Sequence, residues 1–204
     1  MISFGDSFTF GNDLADWSNQ TPSQSTWPAL LAKHLGVEYN CYAEPGSSNS
    51  TILRALLSTE ILPTDLVIVN WTWIDRWDFY NGNEWSTLRP SGTEDNPFYK
   101  HYYKYFQSEL WDKFETLKNL QIAFSMLDNF ISTALDPLTV DKQWHCPEYV
   151  NTLIDTVNTK LTWFDGKGLY HWAKDNDFPI SDKWHPLEQA HQRAFEYIKN
   201  EFAL

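Results

Sequence analysis

Short apolar runs alternate with amphipathic helical patterns along most of this chain, and that alternation constrains its fold more than any other feature. The runs typical of strands are ISF, VEYNCYA, DLVIVNW and QIAFSML. The runs with helical spacing are STWPALLAKHLG, STILRALLSTEIL, FYKHYYKYFQSELWDKFETLKNL, PEYVNTLIDTVNTKL and HPLEQAHQRAFEYIKNEF, the last with Pro186 at its opening position. Strands that alternate with helices predict an α/β fold, a parallel sheet covered by helices on both faces.

The length and the absence of repeats or linkers predict a single domain over 1–204. The stretch 78–97 is polar and rich in Gly and Pro, so it predicts a surface excursion of loop. Cys41 and Cys146 are too few for a disulfide framework and are expected to be free thiols.

The charge balance excludes one large class of partners. Lys and Arg total 15 against 27 Asp and Glu, which gives a net charge of −12. Because a chain with this much negative charge repels phosphate backbones, nucleic-acid binding is not expected. No apolar run is long enough to span a bilayer, and no N-terminal apolar run follows a basic stretch. We therefore expect a soluble protein without a signal peptide or a membrane partner.

Polar and small residues follow the predicted strands where a parallel sheet places its ligand site. Ser7 comes just after the first strand, Gly46 after the second and Asn70 to Trp73 after the third. The carboxyl ends of parallel strands share one edge, so these loops are expected to converge. Asp182 and His185 lie three apart before the last helix, a spacing that lets a carboxylate hold the imidazole tautomer.

These motifs resemble the blocks of the SGNH (GDSL-type) hydrolases: GDSFTFG the first, YAEPGSSNS the second and SDKWHP the last. The resemblance implies a flavodoxin-like three-layer α/β/α sandwich and ester or acyl hydrolysis. It implies Ser7 as nucleophile, His185 as base, Asp182 as its orienting acid and the Gly46 amide in the oxyanion hole. The sequence is also similar to divergent members carried by bacteriophages, which implies a cytoplasmic or phage-associated location.

The third family block, usually Gly-x-Asn-Asp, departs from its pattern. If Asn70 takes the place of the glycine, Thr72 takes the place of the asparagine that donates to the oxyanion. We therefore expect the amides of Ser7 and Gly46 as two oxyanion donors and the Thr72 hydroxyl as the third. Because a threonine replaces the asparagine, we expect a slow reaction. Asn49 or Asn70 could substitute for Thr72.

The substrate prediction depends on the aromatic residues, which make up 17% of the chain. They can form the core, or they can present flat faces on which sugar rings stack. The second reading favours an O-acetylated carbohydrate ester as substrate. The residues predicted to contact it are Asn49, Asn70, Trp71, Trp73 and Trp184.

Several alternatives stay open at this point. Ser7 and His185 could merely cap helices, Asp182 could be a turn residue, and the chain could be a catalytically weak scaffold that binds glycan or protein. A metal-dependent hydrolase is a further rival, although His145 and Cys146 have no second ligand at a characteristic spacing. His171 and His191 are expected at the surface. No metal or cofactor is predicted, and no feature predicts an oligomeric state.

Overall fold

The fold is built on a central sheet of parallel strands, and a separate pair of antiparallel strands lies outside this sheet. A computed structural model describes residues 1–92 and 97–204. The strands are β1 (Ile2–Phe4), β2 (Asn40–Cys41), β3 (Val67–Trp71), β4 (Trp77–Tyr80), β5 (Trp85–Leu88) and β6 (Phe130–Ala134). The central sheet is parallel with the order β2, β1, β3, β6, and β4 pairs with β5.

Helices cover both faces of the central sheet. They are α1 (Ser7–Phe10), α2 (Trp27–Leu35), α3 (Asn49–Ser58), α4 (Pro97–Tyr105), α5 (Glu109–Met126), α6 (Glu148–Asn158), α7 (Leu169–Asp175) and α8 (Glu188–Glu201). Successive side chains of β3 point to opposite faces: Val67 and Val69 pack with α3, α5 and α6, whereas Ile68 packs with α2, α7 and α8. The predicted α/β fold is confirmed, as a three-layer sandwich.

The prediction for QIAFSML was wrong, because the first six of these residues form the last turns of α5, which ends at Met126. The buried positions Leu117, Leu120 and Phe124 recur at helical spacing, and a short apolar run does not distinguish a helix from a strand. The strand of this region is β6, which follows α5. Its polar residues Ser132 and Thr133 interrupt the apolar pattern in the sequence, although both are buried.

The long helix predicted before this point is two helices. Helix α4 ends at Tyr105, and α5 begins after Ser108, whose hydroxyl accepts a hydrogen bond from the Trp111 amide. Ser108 is thus an N-cap inside the predicted run. Similarly, the last helix begins at Glu188, two residues after Pro186.

The stretch 78–97 contains regular structure where loop was predicted. Strands β4 and β5 form a hairpin, and Asn81 turns it by accepting hydrogen bonds from the amides of Asn83 and Glu84 at 3.0 and 3.1 Å. Gly82 lies in the turn at φ 97°. The glycine that indicated a loop in the sequence therefore belongs to the turn of a hairpin. Residues 93–96 of the predicted excursion lie outside the described residues.

The loops after β1 and β2 are joined at the carboxyl edge of the sheet, since the Glu44 amide donates to the Gly5 carbonyl at 3.2 Å. The loop after β3 opens on the same edge because the three strands are parallel neighbours. No helix in the described ranges is long and apolar enough to cross a membrane.

Candidate active site

Ser7 occupies the first position of the four-residue helix α1. Asp6 caps this helix by accepting a hydrogen bond from the Phe8 amide at 3.0 Å. Gly11 ends it in the left-handed conformation at φ 86°, and its amide donates to the Ser7 carbonyl. The Ser7 amide itself has no acceptor among the residues that the structure describes. The turn therefore presents both the hydroxyl and an unpaired amide of Ser7 at the sheet edge.

His185 lies directly against this serine, although 178 positions separate them in sequence. Its Nε2 is 3.0 Å from the Ser7 Oγ. The loop that carries it is closed by a hydrogen bond from the Ser181 amide to the His185 carbonyl at 2.9 Å. The Phe8 ring packs edge-on against the imidazole with centroids 5.4 Å apart. The structure thus brings together two of the three predicted triad residues in hydrogen-bonding geometry.

The carboxylate beside His185 belongs to Asp13, where Asp182 was predicted. His185 Nδ1 is 2.8 Å from Asp13 Oδ2. Asp182 is exposed, and within the described ranges its carboxylate makes no hydrogen bond or ion pair. The reason is the turn at 181–185, where the Ser181 hydroxyl accepts the amides of Lys183 and His185. Sequence reasoning missed Asp13; its signal is an acid six residues after Ser7, just past the Gly11 turn.

The surroundings of Asp13 favour its ionised form. Burial raises the pKa of this carboxyl, but hydrogen bonds from His185 and Ser181 lower it, as do the charges of His185 and Lys183. The net pKa is lowered from its ordinary value. The carboxylate is therefore an acceptor that can hold the proton of the imidazole on Nδ1 and leave Nε2 facing Ser7.

Thr72 does not present a donor to the site, contrary to the sequence prediction. Its hydroxyl donates to Asp6 Oδ2 at 2.7 Å, and the residue is fully buried. A hydroxyl has one proton, so none is left for an oxyanion. The same Asp6 oxygen accepts from Arg76 Nη1 at 3.0 Å.

Asn49 and Asn70 are also buried in structural hydrogen bonds, so the predicted substrate contacts are not found. Asn49 accepts from the Thr72 amide at 2.8 Å and donates to the Thr72 carbonyl at 3.3 Å. Asn70 donates to Thr9 at 2.8 Å and thereby ties β3 to α1. Both side chains fix the loop geometry from behind the site.

The aromatic predictions divide between core and cleft. Trp71 is 0% exposed and its indole N–H donates to Ser132, so it belongs to the core. Trp73 and Trp184, two of the residues predicted to contact substrate, line an open cleft of about 330 Å³ in front of Ser7. The complete lining is Ser7, Phe8, Trp73, Arg76, Tyr170, Lys183, Trp184 and His185.

Gly46 lines a larger neighbouring cleft of about 710 Å³, which also contains Gly5. Its φ of 85° suits glycine, and its amide has no acceptor in the described part of the chain. The adjacent Ser47 carbonyl accepts from Arg76 Nη1 at 2.8 Å. Arg76 therefore connects the loop of Gly46 to the loop of Ser7.

The remaining predictions concern histidines and thiols. His191 is 1% exposed, which corrects the surface prediction: α8 buries it, and its Nδ1 accepts the Trp27 amide at 3.3 Å. His171 is half-buried against the Trp73 ring. Cys41 and Cys146 are free. Within residues 1–92 and 97–204, no group of three or more His, Cys, Asp or Glu side chains could hold a metal ion.

Comparison with known proteins identifies the fold. No protein-family model matches the chain. No curated protein matches it. Among solved structures, a carbohydrate esterase described as having divergent catalytic and non-catalytic binding functions is 14% identical, with TM-score 0.55 over 99% of this chain and 67% of its own.

Two further solved structures agree with this result. The psychrotrophic esterase EstA from Pseudoalteromonas sp. is 13% identical with TM-score 0.53, covering 99% of this chain and 95% of its own. A lipase from a goat rumen metagenome is 14% identical with TM-score 0.51, covering 98% of this chain and 95% of its own. The SGNH-hydrolase fold implied by the sequence motifs is confirmed.

Proposed function

We propose that this protein is a serine esterase that works through an acyl-enzyme intermediate, with Ser7 as nucleophile, His185 as base and Asp13 as its orienting acid. The observation that carries the proposal is the continuous hydrogen-bonded chain from Ser7 Oγ through the imidazole to Asp13, with distances of 3.0 and 2.8 Å. A serine that only capped a helix would not need this partner, and the cap of α1 is already Asp6.

In the first step, Ser7 Oγ forms a bond to the ester carbonyl carbon, and its proton passes to His185 Nε2. Asp13 accepts the Nδ1–H of the resulting imidazolium and stabilises its charge. The electron pair of the carbonyl moves to its oxygen, where the unpaired amides of Ser7 and Gly46 are the proposed donors. His185 then protonates the departing alkoxide, and the same base activates water to release the acyl group.

The cleft supports a substrate that presents flat apolar faces. Phe8, Trp73, Tyr170 and Trp184 line it beside the nucleophile, and Trp184 is 64% exposed. Aromatic faces of this kind stack on sugar rings through the apolar C–H surface of the ring. We propose an O-acetylated carbohydrate as the substrate class.

The test compares wild type with Ser7→Ala on 4-nitrophenyl acetate and on an O-acetylated oligosaccharide. The wild type should hydrolyse both, and the variant should lose about 10⁶-fold in kcat. Equal rates for the two proteins would contradict the nucleophile assignment. Hydrolysis of the nitrophenyl ester alone would leave the esterase but reject the carbohydrate.

A second candidate function is a binding module, and the exposed Trp184 at the mouth of the cleft favours it. It predicts glycan binding that Trp184→Ala weakens and Ser7→Ala does not change, with no hydrolysis by the wild type. The same two variants, measured by calorimetry on the deacetylated oligosaccharide, separate the two functions.

A further inference from the structure

The cleft in front of Ser7 is lined by one arginine side chain whose role the sequence motifs do not suggest. Arg76 lies in the loop between β3 and β4 and lines the cleft together with Ser7 and His185. Its side chain is 13% exposed, so it is held inside the site rather than extended into solvent.

The side chains expected to supply a third oxyanion donor are committed to other hydrogen bonds. The Thr72 hydroxyl donates to Asp6, Asn49 donates to Thr72 and Thr116, and Asn70 donates to Thr9. None of these residues lines this cleft or the neighbouring cleft of Gly46. Arg76 does line the cleft in front of Ser7, and a guanidinium carries five N–H donors.

Arg76 is anchored through one nitrogen only. Both protons of Nη1 are used, one on Asp6 Oδ2 at 3.0 Å and one on the Ser47 carbonyl at 2.8 Å. Its Nη2 and Nε have no acceptor among residues 1–92 and 97–204. The two anchors adjoin Ser7 and Gly46, whose amides are the proposed oxyanion donors. The guanidinium is thus fixed to both loops of the oxyanion hole with three N–H groups left over.

We propose that Arg76 is the third oxyanion donor of this enzyme, in the role that Thr72 cannot fill. As Ser7 Oγ bonds to the carbonyl carbon and its proton moves to His185, negative charge develops on the carbonyl oxygen. A free N–H of Arg76 donates to that oxygen and keeps its proton throughout, because a guanidinium does not deprotonate in proteins. A charged donor gives a stronger hydrogen bond to an anion than a neutral amide does. This inference rests on the proposed serine esterase function.

A purely structural role makes a different prediction. If Arg76 only neutralises the buried Asp6 carboxylate, removing both charges together should restore activity. If Arg76 donates to the oxyanion, activity should stay low whether or not the Asp6 charge is present. The double variant Asp6→Asn/Arg76→Met therefore separates the two roles.

The experiment measures kcat and KM on 4-nitrophenyl acetate, a neutral ester, for wild type, Arg76→Met, the double variant and Arg193→Met. Arg193 is the control, an exposed arginine of α8 that lines neither the Ser7 cleft nor the cleft of Gly46. We expect Arg76→Met and the double variant to lose about 10²-fold in kcat with KM within threefold. Arg193→Met should keep the wild-type kcat. Recovery in the double variant, or an unchanged kcat in Arg76→Met, would overturn the inference.

A boronic acid provides a second readout, since its adduct with Ser7 is a tetrahedral boronate that carries a negative charge, like the tetrahedral intermediate. The inhibition constant of phenylboronic acid should rise by about 10²-fold in Arg76→Met. Should circular dichroism show that Arg76→Met is unfolded, Arg76→Lys takes its place. A lysine that holds Asp6 has one compact charge and cannot also reach the oxyanion, so kcat should still fall, and a wild-type kcat would overturn the inference.

The failures of the two proposals are distinguishable. If wild type and Ser7→Ala hydrolyse the ester equally, the esterase function and the role of Arg76 fall together. If Ser7→Ala is inactive while Arg76→Met keeps the wild-type kcat, only the role of Arg76 is rejected.

Discussion

Two short segments place an acid close in sequence to a residue of the proposed triad, and only one of these acids reaches the imidazole. In segment 7–13 the acid is Asp13, which is half-buried and 2.8 Å from His185 Nδ1. In segment 181–185 the acid is Asp182, which is exposed. The acid three residues from the histidine is thus the one that does not touch it.

The difference comes from how each segment turns. Helix α1 has only four residues, and the amides of Gly11 and Asn12 both donate to the Ser7 carbonyl, so the chain reverses at once. Asp13, at φ 67°, then returns beside the nucleophile. Segment 181–185 is closed around the Ser181 hydroxyl, which also donates to Asp13 at 2.7 Å. Spacing alone therefore identifies a triad acid less well than turn geometry does.

The largest expected effect compares the two acids directly. Asp13→Asn should lower kcat by about 10⁴-fold, because an amide does not hold the imidazole in the tautomer that accepts the proton of Ser7. Asp182→Asn is the matched control and should stay within twofold of wild type. Steady-state hydrolysis of 4-nitrophenyl acetate checks both. The reverse ranking would restore Asp182 as the acid of the triad.

The second prediction concerns the helix that follows segment 181–185. Burial, with a smaller effect of the His185 charge, lowers the pKa of His191 from 6.5 to about 4. The folded state therefore binds fewer protons than the unfolded state between these values, so stability falls as pH decreases from 6.5 towards 4. The loss attributable to His191 is ~3 kcal/mol in the free energy of unfolding.

His191→Gln should remove this dependence, since glutamine can accept the Trp27 amide without titrating. Urea unfolding at pH 7 and pH 4.5 measures the difference between wild type and variant, in which other titrating groups cancel. An equal loss in both proteins would show that His191 is not the source of the acid sensitivity.

A smaller effect is expected where the two segments are joined. Ser181→Ala removes the hydroxyl that donates to Asp13 and accepts the amides of Lys183 and His185. The expected loss is about 1 to 2 kcal/mol in the free energy of unfolding and about tenfold in kcat. Ser125→Ala is the control, because that exposed hydroxyl bonds only within its own helix. Loss of stability without loss of kcat would show that the bond to Asp13 is dispensable for the reaction.

The smallest effect is expected for Lys183, which lies 3.9 Å from the other Asp13 oxygen with 74% of its side chain exposed. Solvent screens such a pair, so Lys183→Met should change kcat/KM for a neutral ester by no more than about twofold. The change should disappear at roughly 0.5 M salt. A tenfold loss that persists in salt would place Lys183 in the binding machinery.

The sequence predicted what depends on regular patterns: the alternating elements, the parallel sheet, and the convergence of Ser7 and His185 at one edge. It did not predict Asp13 or the involvement of Arg76, because both positions depend on side-chain hydrogen bonds between loops distant in sequence. Thr72 illustrates the same limit: its position after β3 suggested an oxyanion donor, but the buried Asp6 accepts its only hydroxyl proton. Similarly, β6 was missed because its polar side chains find partners inside the sheet.

The most direct test of the central claim is labelling with a fluorophosphonate followed by intact mass analysis. We expect one adduct on the wild type, none on Ser7→Ala, strongly slowed labelling of Asp13→Asn and a wild-type rate for Asp182→Asn. Labelling of Ser7→Ala to the wild-type extent, or no adduct on the wild type, would contradict the triad of Ser7, His185 and Asp13.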